Sequence, residues 1–178
     1  MSTWITKMKD TIQAVPGIFR RNRFAKFALL IGLSFASYLF FSRLIVTAVE
    51  VSGSSMSPTL VSGDMVILNR FATIAHVPQR GELVVLKDPE TGDLVVKRIV
   101  GLPEETVQMA LDHAFVNGQL LREPYLNSGR KARVGAPGAA TVVPKGHFYV
   151  LGDNRNNSLD SRSFGPVPRE NIVGVINL

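Results

Sequence analysis

The sequence predicts a mainly β domain, barrel-like or built of two packed sheets, carried on one N-terminal membrane helix. Three observations point there. A basic arm leads into a long apolar run near the N-terminus. Beyond residue 50, short β-rich runs alternate with Gly, Pro, Asn and Asp. No later segment has the look of a helical partner for the apolar run. The 178 residues are room for one domain with an appendage. At 46% apolar and 19% charged, the composition excludes a disordered chain and a coiled coil.

The arm comes first. Residues 1–26 carry Lys7, Lys9, Arg20, Arg21, Arg23 and Lys26 against Asp10, a net of +5 out of +6 for the chain. The remaining body is nearly neutral. Its basic residues form no stripe with interleaved aromatics, so the high isoelectric point does not indicate nucleic acid. Upstream, residues 4–19 have the pattern of an amphipathic surface helix interrupted by Pro16.

The apolar run follows, from Phe27 to Val49, with Arg43 as its one charge. As a helix, those residues would reach about 34 Å, enough to cross a hydrocarbon core. Arg43 lies near the far end, where its stem can snorkel to the headgroups. The positive-inside rule then places residues 1–26 in the cytoplasm and residues 50–178 outside. A cleaved signal peptide is the alternative, with Val46 and Ala48 at the right spacing, but the apolar run exceeds the usual h-region. A buried helix of a soluble core is the other.

The body reads as strands at 65–69, 83–87, 94–100, 106–111, 114–116, 119–121, 148–151 and 172–176. Asn117-Gly118 marks a type I′ hairpin between two of them. Residues 129–138 read as a Gly-rich surface loop. The chain has no cysteine, which excludes a disulfide scaffold, a cysteine metal site and a thiol nucleophile. Its three histidines, His76, His113 and His147, are scattered, which argues against a histidine metal site.

Three local features carry chemistry. Val51-Ser52-Gly53-Ser54-Ser55-Met56-Ser57-Pro58-Thr59-Leu60 can be a flexible linker or a constrained turn that exposes a nucleophilic hydroxyl. Met56, Pro58 and Leu60 count against the linker. In Leu94-Val95-Val96-Lys97-Arg98-Ile99-Val100, alternation puts Lys97 with Val95 and Ile99, and Arg98 with Val96 and Val100. One cation therefore faces apolar surroundings, unless this is an edge strand with Lys97 in water. A buried lysine loses its charge readily and can serve as general base without histidine. Residues 152–168, dense in Asn, Asp, Ser and Arg, are either an ordinary polar loop or a network in which Asp160 pairs with Arg162 and Ser158 orients an amine.

Ser-Met-x-Pro-Thr-Leu, then Lys-Arg-x-Val-Gly-Leu-Pro, then Gly-Asp-Asn-Arg-x-Asn-Ser-x-Asp-Ser-Arg, in this order behind an anchor, resembles bacterial type I signal peptidase (leader peptidase). Arg80-Gly81-Glu82-Leu83-Val84-Val85 matches a further box of that family. The resemblance spans residues 50–178. It implies Ser55 as nucleophile, next to Met56, and Lys97 as general base. It implies Ser158 as the hydrogen-bond partner of that lysine and Asp160–Arg162 as a supporting ion pair. The implied reaction is cleavage of secretory preproteins after an Ala-x-Ala type site, through a serine acyl-enzyme, at the bacterial cytoplasmic membrane, with no metal or cofactor. Two positions depart from the pattern. Gly53 stands where some members have a serine hydroxyl that helps hold the oxyanion, and Asn156 where many have Asp.

Other constellations compete. Ser128-Gly129-Arg130-Lys131 has the S-x-x-K spacing, and His76 or His113 could complete a Ser-His-Asp triad. A Ser-Lys protease with another substrate, or a tethered β module that only binds a partner, are the rival functions.

Overall fold

The computed structural model describes residues 17–126 and 135–177. The chain divides into two units, Met1–Leu44 and Ile45–Leu178.

In the first unit the described residues form one helix, α1 (Gly17–Ile45). Its length of 29 residues corresponds to about 43 Å. Large apolar side chains face every direction and stay exposed, among them Leu29, Leu30, Ile31, Phe35 and Phe40. None of the span Arg23–Phe41 is buried. A helix apolar all round needs either a protein core or lipid. The surface helix expected upstream lies outside the described residues up to position 16, and residues 17–19 belong to α1.

The expected boundary at Val49 moves. The helix stops at Ile45, and Val46–Glu50 is a strand, β1. Val46, Thr47 and Val49 are β-branched, so a helix restricts their side chains. Here they have an antiparallel partner in β2 (Met65–Asn69), with Val46 opposite Asn69 and Glu50 opposite Met65.

The second unit holds two antiparallel sheets. The larger one has the order β1-β2-β11-β3-β4-β9-β10. Its other strands are β3 (Leu83–Lys87), β4 (Leu94–Gly101), β9 (His147–Leu151), β10 (Val167–Pro168) and β11 (Ile172–Asn177). The smaller one has the order β7-β6-β5-β8. It comprises β5 (Thr106–Ala110), β6 (His113–Val116), β7 (Gln119–Leu120) and β8 (Ala140–Val142). Two short helices interrupt them, α2 (Ala72–Ala75) and α3 (Ser161–Phe164). All eight expected strands form, within one or two residues of their expected ends. The expected hairpin forms too: Asn117 and Gly118 both adopt positive φ, and Val116 pairs with Gln119.

Strands β3, β4 and β9 lie mid-sheet and are covered on both faces. Val84, Leu86, Ile99, Phe148 and Val150 pack on one side. Leu83 and Val85 pack on the other, with Val51, Met56, Leu60 and Leu68. Val100, Tyr149 and Leu151 meet Val107 and Ala114 of the small sheet in a third cluster. On the β1–β2 ribbon, by contrast, Ala48, Met65 and Ile67 share an exposed face.

Gly101 sits where the two sheets meet, at the irregularity that ends the β4–β9 pairing. A Cβ there would lie 2.5 Å from Val107 Cγ2, 2.8 Å from Tyr149 Cβ and 3.2 Å from Val143 Cγ2. These are buried atoms with no room to retreat. Gly101→Ala is expected to lower stability by about 1–3 kcal/mol through overpacking, measured as the midpoint of thermal unfolding in detergent; an unchanged midpoint would contradict this packing.

Candidate active site

The serine box is no linker. Met56 and Leu60 are buried in the core, and Leu60 N–H donates to the Met56 carbonyl at 3.0 Å. The turn between is pinned to the loop after β9. Asn154 N–H donates to the Ser55 carbonyl at 2.9 Å, and Asn154 Nδ2 to the Ser54 carbonyl at 3.1 Å. Asn157 Nδ2 donates to Ser54 Oγ at 2.8 Å. Gly53 opens the turn at φ +92°, a backbone conformation that glycine adopts freely and a serine does not. The missing hydroxyl at this position is thus tied to the path of the chain. Among the described residues the Ser55 N–H has no acceptor, which leaves it available to a developing oxyanion.

On β4 both cations are buried, not one. Lys97 is 3% exposed and Arg98 8%, because the sheet is covered on both faces here. Lys97 in water is excluded with them, although residues 94–97 pair with β3 alone among the described residues. The two charges are handled differently. Arg98 keeps its charge: Nε and Nη2 grip the Asp153 carboxylate at 2.9 and 2.6 Å, and Nη1 donates to the Gly81 carbonyl at 2.7 Å. Thr59 Oγ1 adds a bond to the same carboxylate at 2.5 Å. Lys97 has no such carboxylate in direct contact. Its Nζ donates to Ser158 Oγ at 3.1 Å. Burial pushes its pKa below the ordinary lysine value, although Asp160 and Asp88 pull it back up.

The Ser158 hydroxyl helps hold the Asp160 carboxylate ionised. Its oxygen receives an N–H of Lys97. The amine then keeps its own lone pair for another proton. Asp160 is fully buried, which by itself would raise its pKa. Arg162, the Gly152 N–H and Ser158 outweigh burial and hold it below the ordinary carboxylate value. Arg162 Nε and Nη2 each lie 2.8 Å from this carboxylate, and the Gly152 N–H lies 3.0 Å away.

Gly152 joins the serine box to the lysine. A Cβ on it would come within 2.2 Å of Ser158 Oγ and 2.6 Å of the Ser55 carbonyl oxygen. Only glycine lets the partner of Lys97 and the backbone of Ser55 close on one point. So Lys97, Ser158, Asp160 and Arg162 form one connected cluster, and Gly152 brings the Ser55 backbone against it, with Gly53 and Met56 framing the turn. Asn156 is exposed and takes no ion pair. The histidines stand elsewhere. His76 lies 3.3 Å from Glu82, His113 is 3.8 Å from Glu123, and His147 bonds the Lys145 carbonyl. No Ser-His-Asp triad forms among the described residues. Ser128-Gly129-Arg130-Lys131 lies outside them, as does the 129–134 part of the expected loop.

Sequence reasoning missed a second layer. Arg155 reaches Glu123 at 2.5 Å and the Gly152 carbonyl at 3.1 Å. Tyr125 donates to Glu123 at 2.8 Å, and its ring lies 3.9 Å from the Arg98 guanidinium. The available signal was charge in apolar company: Arg98 beside Lys97, and Asp153 and Arg155 directly after the apolar strand β9.

The family model for signal peptidase, peptidase S26, matches residues 23–178. Signal peptidase I V of Bacillus subtilis is 36% identical over 138 residues, 72% of this chain and 82% of that protein. Signal peptidase IB of Staphylococcus aureus is 33% identical over 171 residues, 88% of this chain and 89% of that protein. A crystal structure of a signal peptidase I from Enterococcus faecalis is similar with a TM-score of 0.50 at 34% identity, over 57% of this chain and 98% of that one.

Removing Arg98 alone should strand the Asp153 carboxylate in the core. Arg98→Met is expected to cost about 3–5 kcal/mol, read from denaturant unfolding. Arg98→Met with Asp153→Leu should recover part of that loss. A double variant no more stable than the single one would show that the pair is not what holds this region.

Proposed function

The chain belongs to the signal peptidase family, peptidase S26, and from that membership we propose that Ser55 and Lys97 are the dyad with which it cleaves signal peptides from preproteins. One observation carries the assignment. The buried amine of Lys97 has a hydroxyl, not a carboxylate, as its direct partner, at a point where Gly152 packs on both that hydroxyl and the Ser55 backbone.

The reaction then runs as follows. A substrate segment lies extended beside β4. On the side of β4 away from β3, only Arg98, Ile99 and Gly101 pair with β9. Residues 94–97 have no strand partner there among the described residues, so an added strand can lead its scissile bond toward Lys97. Neutral Lys97 takes the proton of Ser55 Oγ as that oxygen attacks the carbonyl carbon. The oxyanion rests on the Ser55 N–H. The lysine, now protonated, passes the proton to the leaving amine, and the acyl-enzyme remains. Water, deprotonated by the same lysine, releases the signal peptide. Ser158 keeps the amine aimed throughout, and Asp160 with Arg162 keeps Ser158 aimed.

Small residues at the cleavage site, of the Ala-x-Ala type, fit a substrate strand pressed close against β4. The anchor crosses the bacterial cytoplasmic membrane once, with residues 1–26 and their basic side chains inside and residues 50–178 outside. Anchored in the membrane, enzyme and preprotein share one plane and meet by proximity.

The test uses the full chain in detergent with a model preprotein, the new N-terminus being read by mass. Ser55→Ala and Lys97→Ala should each slow cleavage by at least about 100-fold. The base must be neutral, so kcat/KM should fall as pH drops through the lowered pKa of Lys97 and level off above it. Cleavage that survives either substitution would overturn the dyad; a rate that rises on acidification would overturn the neutral base.

A further inference from the structure

Two buried arginines, Arg155 of the loop after β9 and Arg98 of β4, meet on one short segment, Glu123-Pro124-Tyr125, between β7 and β8. Arg155 Nη2 and Nη1 reach the Glu123 carboxylate at 2.5 and 3.3 Å. That carboxylate also takes the Ala114 N–H of β6 at 3.1 Å and the Tyr125 hydroxyl at 2.8 Å. The Tyr125 ring carries the Arg98 guanidinium at 3.9 Å. At their near ends the arginines grip neighbouring residues. Arg155 Nε holds the Gly152 carbonyl at 3.1 Å, and Arg98 holds the Asp153 carboxylate. The next residue, Asn154, holds the Ser55 carbonyl through its N–H at 2.9 Å.

The cluster balances two guanidinium groups against two carboxylates. No buried side-chain polar atom among the described residues lacks a partner. Tyr125 touches both halves. It is only half-buried and belongs to none of the three apolar clusters, so it contributes little to packing. A phenol that adds nothing to a core, yet bonds one arginine's carboxylate and stacks on the other arginine, acts through orientation.

Given the assignment of Ser55 as nucleophile, on which this rests, we propose that Tyr125 is a positioning residue for Ser55. Through Arg98 and through Glu123 with Arg155, it sets the backbone of residues 152–154, and Asn154 transmits that setting to the Ser55 carbonyl. The small sheet, stitched in at Ala114, thereby fixes the geometry of a reaction to which it contributes no reacting group.

The test compares the full chain in detergent, wild type and Ser55→Ala, with Tyr125→Phe and Tyr125→Leu. Tyr125→Leu removes ring and hydroxyl; kcat should fall about 10–100-fold with KM within about threefold, as for a misplaced nucleophile. Tyr125→Phe keeps the ring under Arg98 but loses the bond to Glu123, and its kcat should lie between those of wild type and Tyr125→Leu. Hydrogen exchange gives a readout that does not need activity. The Asn154 amide should exchange faster in Tyr125→Leu, while the β3–β4 amides stay protected. The proposal is overturned if Tyr125→Leu keeps its kcat, if the Asn154 amide is unaffected, or if β3–β4 protection falls in parallel, which marks general loosening. A wild type that cleaves the preprotein no better than Ser55→Ala overturns the protease assignment instead; the Asn154 amide alone then decides whether Tyr125 sets this loop.

Discussion

The withdrawal of one amine from water is the constraint on which the rest of the β unit depends. A lysine in water is charged at neutral pH and cannot take a proton. Lys97 is buried on a sheet that apolar clusters cover on both faces. Burial favours the neutral form, and the hydroxyl of Ser158 satisfies the amine without a negative charge in direct contact. Asp160 works against this at longer range, yet the same carboxylate orients Ser158. Arg162 resolves the conflict by neutralising Asp160 and holding it in place.

The neighbouring residue solves the opposite problem in the same strand. Arg98 must stay charged while buried, and a guanidinium does so only with matched partners. It has the fork on Asp153, the carbonyl of Gly81 and the ring of Tyr125. Alternation sends Lys97 to one face and Arg98 to the other. One strand therefore positions the buried amine and locks the loop that carries Ser158.

Small residues decide how closely these parts approach. Gly152 allows Ser158 and the Ser55 carbonyl to converge, Gly101 allows the two sheets to touch, and Gly53 allows the turn that presents Ser55. At the first two a methyl group would collide with buried atoms. At Gly53 there is space, and the backbone angle alone excludes a side chain.

Much of this was legible in the amino-acid order. Period-two runs bounded by Gly, Asn and Asp located eight strands, because alternation and turn chemistry are local. The apolar run announced an anchor, and the three boxes named Ser55, Lys97, Ser158, Asp160 and Arg162. The end of α1 was not legible: the apolar run continues through Val46–Val49, and only pairing with β2 makes that stretch a strand. The very short strands β8 and β10 carry too few residues for any period to register. That Arg98 is buried as deeply as Lys97 depends on a second cover over the sheet. The roles of Glu123 and Tyr125 depend on partners roughly 30 residues away in the chain. Local sequence thus determined which chemistry is present and on what kind of segment. Tertiary structure decided which charges lose water and which find partners, because burial and long-range pairing exist only once the sheets have closed on each other.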